Sequence, residues 1–137
     1  GAPIWHFVRV HMLEDAPLSV VDSYLPVHLG RSITRTDLRR PMNEILWEKF
    51  NIPLARSVHT LRVARADVDI ASLLGIALAD PVLRIQSSAF LARGKPIRWT
   101  ENFFREDRYE YVAEMQWPDP AALTATRAGK RARRARH

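Results

Sequence analysis

Apolar and polar residues alternate along several short stretches of the chain, a period typical of β-strands. The first such stretch is Trp5–Leu13, and the second is Leu18–Leu25, which Pro26 ends. The residues from Glu14 to Pro17 suit a turn, because proline presets its own backbone angle and cannot donate to a ladder. The pattern therefore predicts that the chain opens with a β-hairpin.

Helical spacing replaces this alternation in the middle of the chain. A helix is predicted at Met42–Phe50, with Pro41 in its first turn, where the missing N–H costs nothing. Its apolar face consists of Met42, Ile45, Leu46 and Phe50. A shorter helix is predicted to begin near Asp67 or Asp69, either of which can cap it, and to end at Gly75.

Four more strands are predicted in the second half, at Leu54–Ala66, Val82–Ala92, Ile97–Phe104 and Tyr109–Met115. Core contacts are expected from Val58, Leu61 and Val63, and from Val8, Val10 and Met12 in the opening strand. The residues Arg93–Pro96 suit a second hairpin turn. Since hairpins rather than helical crossovers join the strands, the predicted class is α+β, an antiparallel sheet of about six strands with helices to one side.

The two predicted hairpins resemble each other when Pro17 is aligned with Pro96. Val21 and Ser23 then correspond to Thr100 and Asn102. A structural repeat would place the hairpins symmetrically, and a cleft between them would suit a ligand. Chance similarity of two hairpins remains the alternative.

Size and composition fit one cytoplasmic domain. The chain has 137 residues, 47% of them hydrophobic, and no cysteine, which fits a reducing compartment. No apolar run approaches the ~20 residues that span a bilayer, so no membrane contact is expected, and the first residues lack the pattern of a signal peptide. We expect residues 1–4 to be an expression remnant or linker, 5–118 the folded domain, and 119–137 a basic disordered tail.

The net charge of +6 has its source in that tail. Six basic residues lie in Arg127–His137, and without them 15 basic residues balance 15 acidic ones. Such a run either stays solvated or binds nucleic acid non-specifically, so nucleic-acid binding through the tail is one alternative function. The neutral body shows no basic stripe with interleaved aromatic residues that would indicate direct recognition.

The sequence predicts no catalytic residue, no metal site and no cofactor. Its glycines are isolated rather than grouped into a phosphate-binding loop, and it contains no Gly-x-Ser-x-Gly elbow. The five histidines have none of the spacings that metal ligands require. No pair of carboxylates is placed for acid–base work.

Polar side chains do share one face of the hairpin strands. That face carries Phe7, Arg9 and His11, then Ser19, Val21 and Ser23, and on the later hairpin Arg98, Thr100, Asn102 and Phe104. A guanidinium matches a carboxylate or phosphate with two hydrogen bonds, so Arg9 and Arg98 indicate a pocket for an anion. Alternatively, both arginines lie on an open, water-facing sheet and pair with Glu101 or Asp22.

Several segments, taken together and in order, resemble one protein family. They are Val8–His11, Ala16–Pro26, Asn43–Leu54, Ala71–Leu83 and Gly94–Tyr109. This set is similar to the UTRA domain, the effector-binding domain of HutC-type regulators in the GntR family. No single segment is very specific, but the ordered set is, and it covers nearly all of Trp5–Met115.

The resemblance implies a chorismate-lyase-like fold, an antiparallel sheet flanked by helices, that binds a small effector and forms a homodimer. It also implies DNA binding through an N-terminal winged helix-turn-helix that we expect this chain to lack. The alternative on the same fold is a chorismate-lyase-like enzyme acting on an aromatic acid.

The family's pocket positions are only partly retained. The pocket commonly uses two arginines on the first strand, of which Arg9 matches one and His11 replaces the other. Val21 replaces a glutamate, Pro41 a small hydroxyl residue, Arg98 an acidic residue and Phe104 a tyrosine. These departures favour a carboxylate with an apolar or aromatic body over a sugar phosphate. The expected effector-binding residues are Arg9, His11, Ser19, Val21, Ser23, Arg98, Thr100 and Phe104.

Overall fold

A computed structural model of the chain describes residues 3–122. Its five strands are β1 (Ile4–Leu13), β2 (Ala16–Pro26), β3 (Arg56–Arg65), β4 (Pro81–Phe90) and β5 (Pro96–Arg105). They form one sheet in the order β1-β2-β5-β4-β3, with every neighbouring pair antiparallel. The helices include α1 (Val27–Gly30), α2 (Met42–Phe50) and α3 (Val68–Leu74), a 3₁₀ turn occupies Asp37–Arg39, and residues 120–122 are also helical. The α+β class predicted from the sequence is confirmed.

Local chemistry explains where several of these elements begin and end. Glu14 and Asp15 have φ values of 49° and 65°, so a two-residue left-handed turn joins β1 to β2 and matches the twist of the strands. The side chain of Asp67 accepts a hydrogen bond from the Ile70 amide at 2.8 Å and caps α3. Gly75 ends α3 with φ at 66°, a conformation that costs glycine nothing.

Two hydrophobic clusters lie on opposite faces of the sheet. Leu25 of β2 packs with Leu29 of α1 and with Ile45 and Leu46 of α2. On the other side, Val20 of β2 belongs to a second cluster with α3. Because side chains alternate along a strand, Val20 and Leu25 point to opposite faces. The expectation of helices on one side only is therefore wrong, since α3 covers the face that α1 and α2 do not.

The predicted sixth strand, Tyr109–Met115, is wrong. Residues 109–119 have no regular structure, and Val112 is 78% exposed. The segment alternates apolar and acidic residues like a strand, but within residues 3–122 it pairs with no sheet edge, although Tyr109 stacks on Phe104 of β5. Local alternation alone does not supply the ladder partner that a strand needs.

Several expected core contacts are also wrong, because they lie on the edge strands. Val58 and Leu61 of β3 are exposed, and Val63 is 81% exposed. Val8 and Met12 of β1 are exposed as well, whereas Val10 packs against the cluster under α3. Both strands end the sheet, and no helix among the described residues covers the outer parts of their faces. The expected apolar face of α2 is confirmed, with Met42, Ile45 and Leu46 buried.

The two hairpins are related by an approximate twofold axis that is perpendicular to the sheet and passes between β2 and β5. Asp22 of β2 lies opposite Glu101 of β5, and the flanking pairs are Val21 with Asn102 and Ser23 with Thr100. Rotation about this axis exchanges the hairpins and moves the Val21–Asn102 pair onto the Thr100–Ser23 pair. The alignment of Val21 with Thr100 predicts this exchange. The symmetric placement expected of a structural repeat is thus present at the β2–β5 junction.

Of the predicted basic tail, residues 123–137 lie outside the described part of the chain, including all of Arg127–His137. Among residues 3–122, no helix is both long enough and apolar enough to cross a bilayer.

Candidate functional site

A cavity of about 260 Å³ opens between the sheet and the start of α2. All five strands and the α2 N-terminus contribute to it, and we call it the inner cavity. Its lining consists of Arg9, His11, Val21, Pro41, Met42, Asn43, His59, Ser87, Arg98, Thr100 and Asn102. The side chains that meet here are far apart in sequence and are brought together by strand register.

The guanidinium of Arg9 is anchored on one side only. Its Nη1 donates to the backbone carbonyls of Leu38 and Arg40, each at 3.2 Å. Its Nε is buried and has no hydrogen-bond partner within residues 3–122. A buried donor without a partner costs roughly 1–3 kcal/mol, so this nitrogen favours the arrival of an acceptor.

Arg98 repeats this arrangement from the neighbouring hairpin. Its Nη1 donates to Oδ1 of Asn43 at 2.6 Å, which ties β5 to the first turn of α2. The Nε of Arg98 is also buried and, in the described chain, unpartnered. The cavity is thus lined by two guanidiniums that are each fixed in place and each retain an unsatisfied buried donor.

Positive charge in the cavity comes from Arg9 and Arg98. Burial lowers the pKa of Arg9, while burial and then repulsion from Arg9 lower that of Arg98. None of the lining residues is a carboxylate. Glu101 instead pairs with Arg84, and Asp22 with His6 at 3.2 Å, so the alternative in which these carboxylates neutralise Arg9 or Arg98 is wrong.

The far wall of the cavity is a hydrogen-bonded polar row across β3, β4 and β5. His59 lies opposite Ser87, which in turn lies opposite Thr100. The Ser87 hydroxyl lies 2.9 Å from Nδ1 of His59, and Ser57 lies 3.0 Å from its Nε2. These contacts fix the imidazole and offer hydroxyl groups beside the two arginines.

The structure brings five of the eight expected site residues together in the inner cavity: Arg9, His11, Val21, Arg98 and Thr100. Ser19 and Ser23 do not line it, because both are fully buried, and their hydroxyl oxygens have no hydrogen-bond partner among residues 3–122. Phe104 does not line it either, since its ring stacks on Tyr109 with centroids 3.7 Å apart.

The expected set left out four polar residues of the lining, Asn43, His59, Ser87 and Asn102. Asn102 lies two residues from Thr100 on the same strand face, so the alternation that found Thr100 also carried a signal for Asn102. His59 and Ser87 had no such signal, because they reach the cavity only through the register of β3 on β4.

Comparison with solved structures identifies the fold of the chain. The fold matches the effector-binding domain of the Bacillus subtilis trehalose repressor TreR, with a TM-score of 0.74 at 14% identity, covering 85% of this chain and 81% of that one. The sheet and its flanking helices therefore have the fold of GntR-family effector-binding domains.

The family follows from the sequence match. Residues 1–110 match the model of the UTRA domain, and the chain belongs to the UTRA domain family, which confirms the resemblance. It is 26% identical over 112 residues to the HTH-type transcriptional repressor NagR of Bacillus subtilis (strain 168), covering 82% of this chain and 46% of that protein.

A second relative is also an HTH-type transcriptional regulator. The chain is 28% identical over 119 residues to the HTH-type transcriptional regulator Rv0792c of Mycobacterium tuberculosis (strain ATCC 25618 / H37Rv), covering 84% of this chain and 43% of that protein. The chain thus spans about half the length of the curated relatives it matches.

Proposed function

We propose that this chain is the effector-sensing domain of a GntR/HutC-type transcriptional regulator and that its effector is a small carboxylate. The family membership and the naming of the relatives as helix-turn-helix regulators support the first part. The second part rests on the inner cavity.

The observation that carries the ligand proposal is the pair of anchored arginines. Arg9 and Arg98 each hold one Nη1 in a protein hydrogen bond and leave a buried Nε without a partner in the described residues. A carboxylate can accept from such donors and replace the solvation that burial removed. It would also neutralise two like charges in a lining that holds no acid.

The regulatory part of the proposal requires two states and a partner. DNA would be bound by a helix-turn-helix outside this chain, in a homodimer acting in the cytoplasm. The effector would shift that dimer between arrangements, because a ligand moves an equilibrium only by its differential affinity for the two states. The spacing of the DNA-binding domains would then set operator affinity.

The ligand proposal is tested with matched acid and amide probes. Isothermal titration of the protein with benzoate and benzamide, and with hexanoate and hexanamide, compares ligands that differ mainly in charge. We expect each acid to bind at least about tenfold more tightly than its amide, since a charge-assisted hydrogen bond contributes roughly 1.5–3 kcal/mol. Equal affinities for acid and amide would contradict a carboxylate effector.

His11 is expected to make this affinity depend on pH. Burial, and then repulsion from Arg9, lowers the pKa of His11 from its ordinary 6.5, so the ring is neutral at neutral pH. A bound carboxylate favours the imidazolium and raises that pKa again, so binding takes up a proton. Benzoate affinity should therefore rise as the pH falls from about 8 to about 5.5, where benzoate remains ionised.

Other charged or titratable groups face the same space as His11. On the cavity sides around His11 these are Arg9, Arg98, His59, Arg35, Arg39 and Arg40. The arginines stay charged throughout this pH range. Titrations of His11→Gln should show a flat affinity between the two pH values. A slope that survives in His11→Gln would assign the proton to another group.

A further inference from the structure

A second, larger cavity adjoins the inner cavity on the side of the 3₁₀ turn. It measures about 740 Å³, and we call it the outer groove. Its lining consists of Arg9, Val10, His11, Met12, Leu18, Arg35, Leu38, Arg39, Arg40 and Pro41. Arg9, His11 and Pro41 line both spaces, so the two cavities share a wall.

The inner cavity alone is small for a metabolite. Its 260 Å³ lies below the usual range of about 300–1,000 Å³ for small-molecule sites. A ligand whose carboxylate lies between Arg9 and Arg98 must therefore place the rest of its body elsewhere. Met12, Leu18 and Leu38 give the outer groove an apolar wall directly beyond Arg9, which suits a hydrocarbon chain.

The outer groove also carries positive charge that the described protein does not neutralise. Arg40 is paired with Glu44 and Glu48. Arg35 and Arg39, in contrast, have no hydrogen-bonded or ion-paired side-chain partner between residues 3 and 122. Two free guanidiniums therefore lie along a groove whose other wall is apolar.

The acidic residue on the same segment, Asp37, is already bound to other groups. Asp37 accepts from Lys49 Nζ at 2.5 Å and from the Thr34 amide at 2.8 Å. These bonds hold the pKa of Asp37 at about 2, so its carboxylate stays ionised and bound to Lys49. It fixes the fold of the turn and leaves Arg35 and Arg39 without an internal counter-charge.

We propose that the effector is an elongated diacid, with one carboxylate held by Arg9 and Arg98 and the second by Arg35 and Arg39. Its apolar middle lies along Met12, Leu18 and Leu38. This inference rests on the proposed function and narrows it, because it assigns a second anion subsite to residues of the 3₁₀ segment. A monoacid fills the inner subsite and leaves the outer arginines unpaired.

Two homologous series of acids test the proposal. The protein is titrated calorimetrically with α,ω-dicarboxylates from succinate to sebacate and with monocarboxylates of the same carbon number. We expect monoacid affinity to rise smoothly with length, as each buried methylene adds to it. Diacids should show a length optimum at which they bind about tenfold more tightly than the matched monoacid.

Variants assign the second carboxylate to its arginines. Arg35→Ala and Arg39→Ala should each reduce the advantage of the best diacid by about threefold or more, and the double variant should abolish it. Monoacid affinity should change less than twofold in all three. Arg93→Ala, an exposed turn arginine outside both cavities, is the matched control and should leave both series unchanged.

The possible outcomes distinguish the diacid inference from the proposed carboxylate-sensing function. If monoacids bind but no diacid of any length has an advantage, the diacid inference is wrong while the carboxylate-sensing function stands. If the diacid advantage persists in the double variant, the second subsite lies elsewhere and the assignment to Arg35 and Arg39 is wrong. If neither series binds, the carboxylate effector itself is refuted.

Discussion

Replacing Arg98 by methionine is expected to weaken benzoate binding by about 100-fold or more. The substitution removes the buried Nε and the fork that the Asn43 bond holds in place. Truncating one partner of a buried, hydrogen-bonded charge pair costs about 2–5 kcal/mol, and 2.7 kcal/mol corresponds to 100-fold in affinity. Titration calorimetry of the variant against the parent chain measures this loss.

The same substitution should leave the unliganded fold at least as stable. Burial and repulsion from Arg9 both lower the pKa of Arg98, so its charge is unfavourably placed when no ligand is bound. Methionine keeps much of the side-chain volume without that desolvation penalty. We therefore expect Tm to stay the same or rise while affinity falls, a combination that simple misfolding cannot produce.

Arg62→Met provides the comparison, because Arg62 lies on the exposed strand β3 and lines neither cavity. Its affinity for benzoate should match that of the parent chain. If Arg98→Met bound benzoate as tightly as the parent chain, with an unchanged Tm, Arg98 would not be part of the binding site.

Truncating Leu46 to alanine is expected to lower the free energy of unfolding by about 2–5 kcal/mol, the usual cost of emptying a fully buried leucine position. Leu46 is 0% exposed and lies in the cluster that joins α2 to β2 and β4. The loss is a large fraction of the 5–15 kcal/mol that holds a typical domain together. Urea unfolding followed by circular dichroism measures it.

The next residue along α2 serves as the control. Trp47 is 55% exposed, and Trp47→Ala should lower the free energy of unfolding by less than about 1 kcal/mol. Because α2 also carries Met42 and Asn43 into the inner cavity, Leu46→Ala should weaken benzoate binding as well. Similar destabilisation in the two variants would mean that α2 is not held by this cluster.

The parts of the fold that the sequence predicted are those specified by neighbouring residues. Helix α2 has the predicted bounds, because a proline start and four apolar residues at helical spacing agree over nine positions. The first hairpin was predicted for similar reasons, with turn residues between two alternating runs. Arg9 and Arg98 were predicted as anion ligands because a guanidinium matches a carboxylate with two hydrogen bonds, and both line the inner cavity.

The errors share a different origin. Tyr109–Met115 alternates as well as β3 does, yet within residues 3–122 it has no partner strand, whereas β3 pairs with β4. Leu61 and Val63 have the composition of core residues, but an edge position leaves them exposed. His59 and Ser87 enter the inner cavity through pairing between strands, which no local pattern encodes.

The approximate twofold relation between the hairpins has a consequence for how such a pocket can change its ligand. Val21, the β2 residue that lines the inner cavity, has its counterpart in Thr100 of β5, which lines the same cavity. A substitution at one member of a pair can therefore create a new contact while its counterpart preserves an old one. Two related hairpins thus allow the specificity of the cavity to change in steps, because one residue of a pair can change while the other keeps its contact with the ligand.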